Sequence, residues 1–413
     1  MLSPIPMEEF DASCGDVNDV VALPPEVFKT DEFHEFEMDA VFGHEWLCIG
    51  RATDIPNKGD YFTVDALGEQ MLVVRQADGS VQVHSNVCRH RAMRVANGSG
   101  TARRFKCDYH SWVYGLDGML QSAPDLNESP CFVKASVKLP EIRSELWEGF
   151  VFITFDENIP PLADRLANLS SYLTNWGIAD LKSAEPQSFF PVKCNWKLFG
   201  DECYHCAHLH SKSWKPMHDA SSERIDYNTE SNEPQKGIIA YDLVGLEKDL
   251  APTRTGKALQ PVLPGLTDEQ RRRLAYVTIA PNLLIIAMPD KVKYFMWLPT
   301  GTTTSVFAAT WLYPESTLQL EGFRESWRME LEDLAGVLEE DIYAWESVQD
   351  GMHSQFAPRG RYAPSEVVLV RFNEWLVEKY RAADALARLG SADQVGSDSN
   401  ALYGEPESEP ANV

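Results

Sequence analysis

Two short runs, Cys88-Arg89-His90 and Cys107-Asp108-Tyr109-His110, constrain this chain more than anything else in it. Sixteen residues separate His90 from Cys107, so two thiols and two imidazoles come from two distant loops. Four such donors suit one tetrahedral zinc, but zinc fingers usually place both Cys in one half and both His in the other. Here each half supplies one of each. That division suits a [2Fe–2S] cluster in which two thiolates hold one iron and two imidazoles the other; structural zinc is the alternative. Loops this far apart meet around one centre only when a rigid sheet presents both at one end.

The flanking sequence predicts that sheet. Residues 61–64, 70–75 and 81–84 are short β-branched runs, and Ala77-Asp78-Gly79-Ser80 marks a hairpin between the last two. The donor loops then span about 86–94 and 106–114. Leu116-Asp117-Gly118-Met119 turns the chain back, residues 147–155 read as a buried closing strand, and Asn158-Ile159-Pro160-Pro161 as a domain boundary. Upstream, residues 1–22 read as a loose arm. Phe33, Phe36, Ala40 and Val41, followed by Trp46, fit a short amphipathic helix that feeds a strand.

Beyond the boundary, Leu162, Leu166, Leu169 and Leu173 have helical spacing. Asn195-Trp196-Lys197-Leu198 then leads into Asp201-Glu202-Cys203-Tyr204-His205-Cys206-Ala207-His208-Leu209-His210, where three of ten histidines fall within six residues. His205 and His210 are about 140° apart on an ideal helix, so they share one ion only if the helix ends or bulges between them. Cys203 and Cys206 are further possible ligands, but thiolates favour zinc over an oxygen-activating ferrous ion. Ferrous oxygenase sites need two His and one carboxylate on one side, with positions left open. Trp327, Leu331, Leu334, Leu338, Trp345 and Val348 form a helical stripe, and the seat between Leu338 and Trp345 holds Asp341. A buried carboxylate is costly unless coordinated or paired, so Asp341 is the candidate third ligand, with a buried salt bridge as the alternative. Residues 276–287, 294–298 and 304–313 predict strands of a second sheet, 221–260 a loop-like lid, and 264–270 the cap of a short charged helix.

These motifs together resemble the α subunit of Rieske non-haem iron oxygenases, from about residue 23 to about 380. The resemblance implies an α+β chain: an arm and helix over 1–44, an all-β Rieske [2Fe–2S] domain over 45–158, a helix-grip catalytic domain over 159–388, and an acidic, disordered tail over 389–413. It implies Cys88, His90, Cys107 and His110 as cluster ligands. Glu202, His205 and His210 match the family's Asp/Glu-x-x-His-x₄-His, and Glu340-Asp341-Ile342 matches the segment supplying the third ligand of a mononuclear Fe(II). The family's head-to-tail homotrimer sets one subunit's cluster beside the next subunit's iron. A carboxylate bridges a histidine of each, here Glu202, or Asp201 as fallback. One departure stands out: family members have about three more residues between the Asn-Trp-Lys run and the first iron histidine.

No dinucleotide or phosphate-loop motif is present, so the resemblance implies electrons drawn from NAD(P)H through a ferredoxin, a reductase or both. The chain has 37 basic and 62 acidic residues, a net charge of −25, which disfavours nucleic acid and acidic membranes. No apolar run is long enough to span a bilayer, no secretory signal is visible, and cysteine is too sparse for a disulfide scaffold, so the expected compartment is cytoplasmic. The expected reaction is monooxygenation of a small organic substrate with O2, by hydroxylation or oxidative N- or O-dealkylation of an aromatic or amine compound. Ring cis-dihydroxylation and quaternary-ammonium oxidation are the alternatives within the family. Outside it stand a Rieske electron carrier and a zinc-stabilised binding module.

Overall fold

The computed structural model describes residues 1–124, 126, 129, 131–203, 219, 221–227, 230–253 and 255–399, leaving aside the side chains of 201–203, 221–224 and 390–399. Its architecture is α+β, as the sequence implies. Strands β1 (Leu47–Arg51), β2 (Asp60–Ala66), β3 (Glu69–Arg75), β4 (Val81–Ser85), β5 (Ser99–Thr101), β9 (Glu141–Trp147) and β10 (Phe150–Thr154) form one antiparallel sheet in the order β1-β10-β9-β4-β3-β2-β5. Three short strands, β6 (Phe105–Lys106), β7 (Val113–Tyr114) and β8 (Leu120–Ser122), form a second layer that carries the second donor loop. The predicted strand over 147–155 is in fact a hairpin. It breaks at Glu148 and Gly149, both at positive φ, because Gly149 lies against the Arg51 guanidinium and leaves no room for a Cβ.

The larger sheet contains β11 (Lys182–Ser183), β12 (Phe190–Val192), β13 (Ser221–Asp226), β14 (Ile238–Gly245), β15 (Arg273–Ile279), β16 (Leu283–Ala287), β17 (Val292–Gly301) and β18 (Thr304–Tyr313). Its order is β11-β18-β17-β16-β15-β14-β13, with β12 also pairing with β18. Both faces are buried, which explains its near-continuous apolar runs. One face packs on helix Leu162–Leu173, on Phe150 and Phe152 of the first sheet, and on Trp46 just ahead of β1. The other packs on the long helix Phe323–Met352 and the 3₁₀ segment Trp196–Cys203.

Several sequence expectations need correction. The predicted strand over 276–287 is two strands turning at Ala280-Pro281, and the predicted lid over 221–260 contributes β13 and β14 to the sheet. Its apolar residues, Ile238 to Leu243, are buried and paired, which a lid could not offer them. The arm over 1–22 is docked: Phe10 is buried against Phe33 and Tyr380. The charged helix after 264–270 is a single turn, Gln270–Arg272. The C-terminal helix Val367–Ser399 continues ten residues past the predicted start of the tail, while 400–413 lie outside the described residues.

Candidate functional site

The two donor loops are built alike. Cys88 N–H donates to Met93 O and Cys107 N–H to Trp112 O, both at 2.8 Å. Four residues on, Ala92 and Ser111 donate back to the Cys88 and Cys107 carbonyls at 3.0 Å, and both adopt positive φ, 60° and 59°. Each loop is thus a closed turn with a cysteine at its base. Asn86, fully buried at the end of β4, pins the first turn by donating to Ala96 O and accepting from the Val95 and Ala96 amides. The second turn is held between β6 and β7.

This geometry sinks the cysteines and raises the histidines. Cys88 and Cys107 are 3% and 2% exposed and are free thiols, whereas His90 is exposed and His110 half-buried. The two imidazoles lie 4.5 Å apart, and His90 stacks on Trp112 at 4.8 Å and 9°. His110 Nδ1 is buried with no hydrogen-bond partner, the condition of a nitrogen reserved for a metal. Burial raises the Cys107 thiol above its ordinary value and Cys88 beside it raises it further, so metal binding rather than free ionisation would remove that proton. The Tyr114 hydroxyl accepts from Arg89 N–H at 3.0 Å and lies 3.2 Å from Cys88 Sγ, where it can donate to a thiolate. Two buried thiols, two outer imidazoles and a hydroxyl on one sulfur fit a [2Fe–2S] cluster with its histidine iron toward the surface. Sequence reasoning missed Tyr114; an aromatic seven residues after Cys107 gave no distinguishing signal.

The second candidate centre is approached through a rigid entry. Asn195 N–H donates to Gln349 Oε1 at 2.8 Å and Asn195 Nδ2 to Thr302 O at 2.7 Å. Trp196 Nε1 and Lys197 Nζ both donate to Glu37 at 2.7 Å, and the Tyr380 hydroxyl donates to its other oxygen. Phe199 then packs against Trp297, Phe307 and edge-on against Trp345, at 5.8, 5.2 and 4.8 Å. At Gly200 a Cβ would stand 2.9 Å from the Phe372 ring, so only glycine lets the segment pass that close to the C-terminal helix.

On the long helix the buried positions are Phe323, Glu330, Leu334, Val337, Asp341, Trp345 and Gln349. The stripe therefore departs from the predicted one. Trp327, Leu331 and Leu338 are only partly buried and Val348 is 39% exposed, because a true 3.6-residue period carries the inner face to Gln349. Asp341 stays on it, 5% exposed and one turn before Trp345. Since Trp345 touches Phe199, the Asp341 carboxylate is on the helix face turned toward the segment that continues into His205 and His210. Those two histidines, His208 and Cys206 lie outside the described residues, as do the side chains of Asp201, Glu202 and Cys203. A carboxylate buried on this face of the helix is a donor that fits a mononuclear iron.

Comparison with known proteins agrees with both halves. Residues 45–136 match the model of the Rieske [2Fe-2S] domain, and residues 173–382 that of the ring hydroxylating alpha subunit (catalytic domain). The chlorobenzene dioxygenase subunit alpha of Cupriavidus sp. (strain PS12) is 32% identical over 280 residues, covering 66% of this chain and 56% of the relative. The carnitine monooxygenase oxygenase subunit of Acinetobacter pittii (strain PHEA-2) is 32% identical over 199 residues, covering 46% and 53%. The chain thus spans little more than half the length of these curated relatives. A solved quaternary ammonium Rieske monooxygenase shares the fold, with a TM-score of 0.75 at 22% identity over 92% of this chain and 100% of that one. With the catalytic-domain match alone covering more than half of its residues, this chain belongs to the ring-hydroxylating α-subunit family and carries a Rieske [2Fe–2S] domain ahead of its catalytic domain.

Proposed function

We infer that the chain is a terminal oxygenase component that uses O2 and electrons from a ferredoxin, a reductase or both to monooxygenate a small organic substrate. The observation that carries this reading is the pair of separate donor sets. One is Cys88, His90, Cys107 and His110 on matched turns; the other is Asp341, buried on the long helix, to which the reading adds His205 and His210, outside the described residues. When bound, the cluster relays single electrons and the ferrous ion activates dioxygen. The chain's own residues do the rest. The Tyr114 hydroxyl, 3.2 Å from the Cys88 sulfur, would donate to it once it is a bound thiolate, while the Glu37 contacts and Phe199 fix the entry to the histidine segment. Glu202, or Asp201, links the iron site of one subunit to the cluster of the next in a head-to-tail homotrimer. No helix among the described residues is long and apolar enough to cross a membrane, and the proposed working compartment is the cytoplasm.

Hydroxylation or oxidative N- or O-dealkylation of an aromatic or amine compound is the preferred reaction. The carnitine monooxygenase relative favours a quaternary-ammonium substrate as second reading, and the chlorobenzene dioxygenase relative a ring cis-dihydroxylation. Reconstitution under anaerobic conditions, followed by reduction through ferredoxin and reductase, is the test. Aromatic, amine and ether compounds are then screened with ¹⁸O-labelled dioxygen. Substrate-dependent O2 uptake with one labelled atom in the product is expected; two labelled atoms in a diol would establish dihydroxylation instead. Asp341→Ala is expected to abolish turnover while keeping the red-brown cluster, and full activity in that variant overturns the ligand assignment.

A further inference from the structure

Where the two large sheets meet, the chain leaves a cavity of ≈ 600 Å³, the size of a small-molecule site. One wall comes from β1, the turn Ala52–Asp54 that follows it, and β2; the other comes from residues 182–189, which run from β11 to β12, and from Arg324 at the start of the long helix. The first wall is largely apolar. Phe62 packs so close to Gly50 that a Cβ there would stand 2.8 Å from the ring, and Ile49, Ile55 and Val64 are buried in the same wall. Phe189 stands on the other. No cluster ligand is among the described lining residues, and Asp341 lies about 25 Å along the long helix from Arg324. The cavity therefore belongs to neither donor set.

Its charges are of both signs and poorly matched from within the protein. Arg51 is fully buried: its Nη atoms donate to the Glu148, Ile178 and Leu181 carbonyls, and its Nε–H has no acceptor. Lys182 is half-buried on the opposite wall. Among the described residues neither cation has a carboxylate within ion-pair distance. Asp54 is exposed on the cavity wall and accepts from the Ser183 hydroxyl at 2.7 Å, but has no cation in contact. The more exposed Arg324 and Glu185 neutralise each other at 2.7 Å. Two cations and one carboxylate thus line the cavity without ion pairs. A simple anion placed there meets Asp54, and a simple cation meets Arg51 and Lys182, each a like charge away from bulk water. A molecule that carries both signs suits all three.

We propose that this cavity binds a small zwitterion, an α-amino acid with an apolar side chain. Its ammonium docks on Asp54, its carboxylate on Lys182 with the Arg51 charge behind, and its side chain lies between Phe62 and Phe189. Charge-assisted hydrogen bonds are strong where water is excluded. Asp54 follows β1 of the first sheet and Lys182 belongs to the larger sheet, so the ligand fastens the two beside the Asp54–Ser183 contact. The cavity also adjoins the first cluster turn. Thr63 N–H donates to Gly98 O at 2.8 Å, and Gly98 is two residues beyond Ala96, which Asn86 holds. The inference makes no use of the mononuclear iron.

The test is calorimetric titration of the holoprotein, with cluster absorbance as the check on folding, using three probes that share one ring: L-phenylalanine, 2-phenylethylamine and 3-phenylpropanoate. Phenylalanine is expected to bind about ten to a hundred times more tightly than either singly charged probe. Asp54→Asn should bring phenylalanine down to the level of 3-phenylpropanoate. Lys182→Met should bring it down to that of 2-phenylethylamine, while Lys182→Arg, which keeps the charge, retains the preference. Lys182→Gln gives the same comparison should the methionine variant fail to accumulate. Phenylalanine bound no more tightly than the singly charged probes, or a preference that survives Asp54→Asn or the loss of the Lys182 charge, overturns the proposal. Dioxygen uptake is measured alongside. Phenylalanine that is itself oxygenated, with affinity unchanged in the Asp54 and Lys182 variants, would be a substrate bound elsewhere and would equally refute this site.

Discussion

Glu37 shows how much one side chain can organise. It is fully buried and meets three donors: Trp196 Nε1, Lys197 Nζ and the Tyr380 hydroxyl. Those donors belong to the entry of the proposed iron segment and to the C-terminal helix, while Glu37 ends the helix Asp31–Glu37. Desolvation alone lowers the Lys197 ammonium, and Glu37 opposes it, so the pair is viable only together. Glu37→Ala strands a buried charge and is expected to cost about 3–5 kcal/mol, read as a fall in the urea midpoint. Replacing both partners, Glu37→Leu with Lys197→Met, should cost clearly less, and a double-mutant cycle measures the difference. None of this was visible in the sequence, where Glu37 is one acid among many in an amphipathic helix. Asp341 was visible, because a charge in an otherwise apolar stripe violates a local rule. Gln349 obeys the same logic two turns on, but the predicted stripe had already drifted to Val348.

Among the elements, helices and single strands were easier to read than hairpins. The runs at 147–155 and 276–287 are mostly apolar and show no alternation, and the reversals fall at their short interruptions, Glu148-Gly149 and Pro281-Asn282, which the strand reading passed over. The first reversal depends on Gly149 at φ +77°, where a Cβ would stand 2.8 Å from Arg51 Nη2. That guanidinium cannot retreat, since it donates to the Glu148, Ile178 and Leu181 carbonyls. Gly149→Ala is therefore expected to destabilise the protein by about 1–3 kcal/mol, through left-handed strain and crowding together, as a lowered thermal midpoint. The same substitution at Gly79, also at positive φ but with nothing near its missing Cβ, should show the strain alone and a smaller loss. The matched donor turns belong to this scale as well. Cys-x-His and Cys-x-x-His state which groups are present, whereas the back-bonds from Ala92 and Ser111 explain why both cysteines end up inside.

For the molecule as a whole, the decisive join is between the two sheets. Asn282, in the turn between β15 and β16, donates to Cys48 O at 2.8 Å and accepts from Cys48 N–H at 3.0 Å, standing in for a strand partner on β1. Trp46 Nε1 donates to Pro160 O, and Trp147 Nε1 to the Ser170 hydroxyl, across the same boundary. Asn282→Ala leaves two buried backbone groups unsatisfied, at a cost of about 2–4 kcal/mol. Calorimetry is expected to resolve two transitions in that variant where the parent protein shows one, with loss of cluster absorbance following only one of them. A single sharp transition in both proteins would show that the join is not what couples the domains. What the sequence by itself determined is the chemistry: which thiols, imidazoles and carboxylates exist, and that their spacing suits two iron centres of different kinds. Those are properties of short stretches, fixed by covalent order and helical or strand period. What only the tertiary structure decided is facing. Lys293 under the helix depends on strand register, and Glu37 among its three donors and Asn282 bridging the sheets on contacts across 159 to 343 positions, which no local pattern encodes.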